Sequence, residues 1–180
     1  DASRSDIDFL IQYANEAKKA GAQRFRYCDT LGYEDPKTAY DRIFAIAKAT
    51  QMPIEVHYHN DLGMAVACSV MGAKAAIDAG VDTYINTAIN GMGERAGNAD
   101  LVSCLLAVLK SSGFKNRYEI DHNIDLSKAW KLTKYTAYAF RVPIPINQPA
   151  VGDNAFAQES GIHADGALKD RRNYELYDFE

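Results

Sequence analysis

At 180 residues, 47% hydrophobic and 24% charged, the chain has the composition of an ordinary globular protein that can bury a real core. A formal net charge of −4 with no run of Lys or Arg argues against a nucleic-acid surface or a basic membrane patch, so anionic ligands have to be held by local groups. No apolar stretch approaches the ~20 residues that span a bilayer, and no signal peptide opens the chain. The odd set Cys28, Cys68 and Cys104, each inside an apolar stretch, reads as reduced thiols in a cytoplasmic protein.

In chain order, Ser5 reads as an N-cap, and Ile7, Leu10, Ile11, Ala14 and Ala17 recur at helical spacing until Gly21. Residues 24–30 read as a strand. Asp35 caps a helix with Pro36 at its first position and Ala39, Ile43, Ile46 and Ala47 on one face. A second strand over 54–59 leads to an alanine-rich helix over about 64–79, closed by Gly80. A third strand over 82–88 leads to a helix over about 98–110. Strand starts at intervals of about thirty residues are the period of a β-strand plus a helix, which predicts a parallel sheet. Three such units close no barrel of eight strands, so the N-terminal part of the fold is expected to lie outside this sequence. After Gly113 the pattern changes to a helix from Asp125 through Phe140, a segment over 142–149 whose prolines forbid helix or central strand, and a separate element from Val151 to Glu180.

The chemistry gathers where the strands end. His57 and His59 stand two residues apart at the end of the second strand, so their side chains share one face and a divalent cation could take a nitrogen from each. Two hydrogen-bonded core histidines would give the same pattern, but ligands of parallel α/β folds bind at the carboxyl ends of strands, which favours the metal. Thr30, in Asp29-Thr30-Leu31-Gly32, ends the first strand and either offers a hydroxyl to a ligand carboxylate or simply starts the turn. The loop over 90–98, Asn-Gly-Met-Gly-Glu-Arg-Ala-Gly-Asn, ends the third; its glycines admit close backbone approach, but the spacing is neither a dinucleotide fingerprint nor a P-loop. All three loops fall on one rim. His163, in a loop flanked by Gly161 and Gly166, is a general acid or base or a surface histidine, and Tyr174 is one of eleven tyrosines, most of them packing residues.

Together, Asp29 to Gly32, His57 to Asp61, Asn90 to Asn98, and Asn154 to Ala157 with Glu159 to Gly166 resemble, in order, the signatures of the metal-dependent acyl-CoA condensing enzymes related to isopropylmalate synthase and homocitrate synthase. The resemblance implies the C-terminal part of a (β/α)₈ TIM barrel, strands six to eight, followed by a small helical subdomain. Barrel then occupies 1–113, a helix and Pro-rich linker 114–150, and the start of the subdomain 151–180. It further implies that His57 and His59 ligate Mg, Mn or Zn, with a carboxylate from a first strand outside this sequence as third ligand. Thr30 and Asn98 bind substrate, Glu94 and Asn98 line the site around the metal ligands, and Glu94 is counted as catalytic with His163 and Tyr174, eleven residues apart, which assist proton transfer. The implied reaction condenses acetyl-CoA with a 2-oxo acid in a homodimer with shared active sites. The run over 26–32 and Ala164 look closer to homocitrate synthases of the nitrogen-fixation type, which favours 2-oxoglutarate; 2-oxoisovalerate and oxaloacetate are the alternatives. Gln158 departs from the His of many relatives.

Two other classes compete. A metal hydrolase of the amidohydrolase type also uses two histidines at this spacing, but on the first strand and with further ligands, whereas His122 and His163 are the only other histidines and neither ends a strand. A fragment that serves only as a folded scaffold is the non-enzymatic reading, and the 180 residues alone are expected to be inactive without the first-strand carboxylate.

Overall fold

The computed structural model describes residues 1–120 and 123–177. His122, weighed above as a hydrolase ligand, lies outside the described residues. The chain divides into two compact units, Asp1–Cys104 and Leu105–Glu180.

The first unit alternates helix and strand: α1 (Ile7–Lys19), β1 (Phe25–Asp29), α2 (Pro36–Thr50), β2 (Ile54–Tyr58), α3 (Ala65–Asp78), β3 (Thr83–Asn86) and the start of α4 (Leu101–Lys110). The strands form one parallel sheet in the order β1-β2-β3. Asp35 caps α2 with Pro36 behind it, as the sequence predicts, its carboxylate accepting from the amides of Lys37 and Thr38. At α1 the cap is Asp6 rather than Ser5. The Asp6 carboxylate accepts from the amides of Asp8 and Phe9, while the Ser5 hydroxyl donates to the carbonyl of Asp1. Helix α4 begins three residues later than expected, because Asn98 and Asp100 are engaged in bridges to His59 and Ala88, and the Asp100 carboxylate caps the helix through the Ser103 amide.

Strand alternation sorts the sheet into two chemically different faces. Phe25, Tyr27, Ile54, Val56 and Tyr58 point toward the helices and join Leu10, Ala14, Ile43, Ile46, Ala47, Ala75 and Ala76 in the core. The opposite face carries Arg26 and Cys28 on β1, Glu55 and His57 on β2, and Tyr84 and Asn86 on β3, all exposed or half-buried. The buried carboxylates of Asp29 and Glu34 also sit on the core side. The fully buried Glu34 carboxylate accepts hydrogen bonds from the hydroxyls of Tyr27 and, at 3.2 Å, Tyr58, and lies 3.2 Å from the Arg42 guanidinium. Burial pushes the Glu34 carboxyl up, and Asp29 adds to it, against the hydrogen bond from Tyr27 and the charge of Arg42. The three cysteines are free, and burial pushes the Cys68 and Cys104 thiols up to about 12.

The second unit is helical: the remainder of α4, a 3₁₀ turn (Leu126–Lys128) leading into α5 (Ala129–Phe140), turns through the proline-rich segment, α6 (Gly161–Lys169) and a final 3₁₀ turn (Arg171–Asn173). Asp125 caps the 3₁₀ turn through the Ser127 amide, so the helix expected from Asp125 starts as 3₁₀ and becomes α at Ala129. His163 lies within α6 and not in a loop. The flanking glycines suggested a loop, but Ala164, Ala167, Leu168 and Lys169 favour helix and outweigh them.

Candidate functional site

The three strand-end loops meet on one rim of the first unit. Backbone bonds join them: the His59 amide donates to the Asp29 carbonyl at 3.2 Å, the Asn60 amide to Gly97 at 2.9 Å, and the Ala99 amide to Tyr58 at 3.2 Å. Gly32 has φ +61°, and a Cβ there would stand 2.7 Å from the Asp61 amide nitrogen, so the first loop lies directly on the second. At Gly97, with φ +87°, a Cβ would fall 1.9 Å from the Gly91 carbonyl oxygen, which restricts that position to glycine.

Arg95 adds a side-chain clasp across all three loops. From its own loop, in the left-handed region at φ 57°, it donates to Asp61 through Nε at 2.9 Å and Nη2 at 3.0 Å, and to the Thr30 carbonyl through Nη2. The hydrogen bond from Arg95 holds the Asp61 carboxyl below the usual carboxylate range. Nothing local in the sequence distinguishes Arg95 from a solvated loop arginine; only its position between three loops gives it a role.

His57 and His59 face the same side at the end of β2, their ring centroids 5.1 Å apart and nearly perpendicular. Their environments differ. The His57 Nδ1 lies 2.8 Å from Oδ1 of Asn86, its register partner on β3, whereas the buried His59 Nδ1 has no hydrogen-bond partner. Burial, then the charges of Arg95 and His57, push the His59 imidazole down, which favours the neutral form that can ligate. Asn98 is paired with His59 across an isolated bridge, carries an unpartnered buried Nδ2, and rests on Gly93, where a Cβ would meet Oδ1 at 2.0 Å. Thr30 and Glu94 are exposed on the same loops. Among the described residues no three His, Cys, Asp or Glu come together to hold a metal. The pair nonetheless fits a cation: His57 has one nitrogen engaged by an outer partner, and His59 has an orphaned buried nitrogen that a ligand could satisfy.

The second unit holds the other predicted pair. Tyr174, which follows the last 3₁₀ turn, lies against His163 of α6 with ring centroids 4.5 Å apart. One turn along the same helix face, a Cβ on Gly166 would stand 2.4 Å from Cε2 of Tyr174, so the missing side chain makes the space the tyrosine ring occupies. Glycine inside a helix costs about 1 kcal/mol relative to alanine, and the ring contact is what it permits here.

The sequence model of the HMGL-like family matches residues 1–135. The chain is 58% identical over 180 residues to a protein named citrate (Re)-synthase from Dehalococcoides mccartyi, covering all of this chain and 43% of that relative. It is 44% identical over 178 residues to 2-isopropylmalate synthase 2 of Caldanaerobacter subterraneus, covering 99% of this chain and 44% of the relative. With homocitrate synthase 1 of Nostoc sp. it shares 41% identity over 177 residues, 98% of this chain and 44% of the relative. The chain thus spans less than half the length of these curated relatives. Among solved structures, the carboxyl transferase domain from Rhizobium etli pyruvate carboxylase with 3-hydroxypyruvate superposes with a TM-score of 0.60 at 22% identity, over 92% of this chain and 27% of that one, a likeness of fold.

Proposed function

The chain belongs to the HMGL-like family, and from that membership we propose that the full-length protein is an acyltransferase that condenses acetyl-CoA with a 2-oxo acid and releases CoA. The observation that carries the proposal is the His57 and His59 pair, 5.1 Å apart on a rim where Arg95 ties together the loops bearing Thr30, Asp61 and Glu94. His57 and His59 hold a divalent cation, Mg, Mn or Zn, together with a carboxylate from another part of the protein. When bound, the cation supplies a Lewis acid that polarises the acceptor's keto group. The Thr30 hydroxyl binds the acceptor carboxylate, and Asn98 and Glu94 line the site around it. His163 and Tyr174 serve proton transfer: one proton leaves the acetyl methyl group, the new carbon–carbon bond forms at the keto carbon, the resulting alkoxide takes up a proton, and water cleaves the thioester to free CoA. The pair would come from the second subunit of a homodimer, as the family resemblance implies.

Oxaloacetate is the favoured acceptor, with 2-oxoglutarate and 2-oxoisovalerate as the alternatives. The preference for 2-oxoglutarate drawn from the run over 26–32 yields to the margin between 58% identity with a citrate (Re)-synthase over 180 residues and 41% with a homocitrate synthase over 177. The deciding experiment is CoA release by the full-length protein from acetyl-CoA with each of the three acids, with and without Mn²⁺ or Mg²⁺. Fastest turnover on oxaloacetate, abolished by a chelator, is expected; activity untouched by the chelator would sink the metal reading, and faster turnover on 2-oxoglutarate or 2-oxoisovalerate the choice of acceptor.

A further inference from the structure

We propose that Asn86 and Glu55 are positioning residues that fix His57 as its Nδ1–H tautomer and so reserve Nε2 for the ligand, an inference that rests on the cation site just described.

His57 and Asn86 are register partners on neighbouring parallel strands, and both point away from the helix layer, which brings Nδ1 to 2.8 Å from Oδ1. That contact alone does not assign the proton, because an amide offers both a donor and an acceptor and can turn over. The next contact settles it. Asn86 donates from Nδ2 to Oε1 of Glu55 at 3.2 Å, and a carboxylate can only accept. Turning the amide over would set its oxygen against the Glu55 carboxylate, acceptor facing acceptor. Asn86 is therefore held with its oxygen toward His57, and an oxygen that only accepts requires a proton on Nδ1.

Glu55 is itself held in place. Arg24, just before β1, and Arg26 on it reach Glu55 with Nε at 3.0 Å and 3.1 Å from its two oxygens, and Arg24 also stacks over the Tyr84 ring at 4.6 Å. The sequence thus places an arginine pair, a carboxylate, an amide and an imidazole side by side across three strands of the sheet's open face. His59 has no such support, its buried Nδ1 being unpartnered. The two histidines of the pair are inequivalent: one arrives with its tautomer set, the other takes whichever form the bound ligand selects.

The test uses the full-length protein. Long-range ¹H–¹⁵N spectra, with His57 assigned by its loss in His57→Gln, should show the Nδ1–H tautomer before any metal is added. Asn86→Ala should move His57 to a mixture of tautomers and weaken Mn²⁺ binding by about 10- to 100-fold. Asn86→Asp keeps an acceptor at that place and should restore the tautomer and part of the Mn²⁺ affinity, even if it melts lower beside Glu55; loss of packing alone would give no such rescue. Glu55→Gln, which can donate or accept, frees the amide to turn and should lie between wild type and Asn86→Ala. A wild-type His57 protonated on Nε2, or an Asn86→Ala variant that keeps both the tautomer and the Mn²⁺ affinity, would overturn the proposal. If wild type takes up no Mn²⁺, the metal reading fails, and the tautomer spectra alone still decide the roles of Asn86 and Glu55.

Discussion

The two units hold their candidate chemistry by different means. In the first, a parallel sheet whose Ile54 and Val56 are fully buried with Ile43 and Ile46 of α2 delivers three loops to one rim, where backbone bonds and Arg95 lock them together. In the second, apolar side chains stay in the open, with Tyr138 83% and Leu168 89% exposed, and His163 meets Tyr174 through one helix and one following turn. A pair set by sheet register is defended by long-range packing. A pair set by a single helix face depends on a few atoms.

The largest expected effect separates the units by function. His57→Ala should weaken Mn²⁺ binding by more than about 100-fold, since loss of an outer partner alone costs up to that much. His163→Ala should leave Mn²⁺ binding intact and lower kcat by about 10²- to 10⁴-fold, the usual range for a proton-transfer group. Calorimetric titration beside steady-state rates reads both; equal loss of metal in the two variants would remove the division of roles.

The next tests the packing of the first unit. Glu34→Ala leaves Arg42 without its carboxylate partner and the Tyr27 and Tyr58 hydroxyls without their acceptor, and should destabilise the fold by about 3 kcal/mol, measured by urea denaturation. The pH dependence has a definite sign. Burial raises the Glu34 carboxyl, so the folded chain keeps that proton to higher pH than the unfolded chain does. Its stabilising contribution is full below the ordinary value of 4.5 and is lost as pH rises through the raised folded value. Glu34→Gln cannot titrate and should flatten the stability profile across that window.

Local signals carried most of the first unit. The Asp35-Pro36 helix start and the thirty-residue period marked its helices and strands, and the histidine spacing marked the rim. What stayed hidden depends on register between distant segments. Asn86 matters because it lies opposite His57, twenty-nine residues away in sequence, and Arg95 because it reaches Thr30 and Asp61. In the second unit glycine misled: Gly161 and Gly166 suggested a loop, while Gly166 is a helix residue that makes room for a ring. Gly166→Ala tests that directly. The added methyl should displace Tyr174 and lower kcat by roughly tenfold, less than loss of His163 itself, with Mn²⁺ affinity unchanged. A variant with wild-type kcat would mean that the contact between His163 and Tyr174 is not used.

The smallest effect is expected at Arg95, for a physical reason. Its hydrogen bonds to Asp61 and the Thr30 carbonyl lie at the surface, where solvent screens the charge, and the backbone bonds from His59 to Asp29 and from Asn60 to Gly97 hold the loops without it. Arg95→Ala should therefore scarcely change the melting temperature. It removes a side chain that fixes the Thr30 loop against the Asp61 loop, so KM for the acceptor should rise by less than about fivefold while Mn²⁺ affinity stays put, and the rise should shrink in high salt, where the wild-type clasp is itself weakened. Arg95→Lys can make one of the two hydrogen bonds to Asp61 but cannot span both partners, and should behave like the alanine variant rather than like wild type. A large fall in stability in either variant would show that the rim depends on side-chain charge and not on the sheet beneath it.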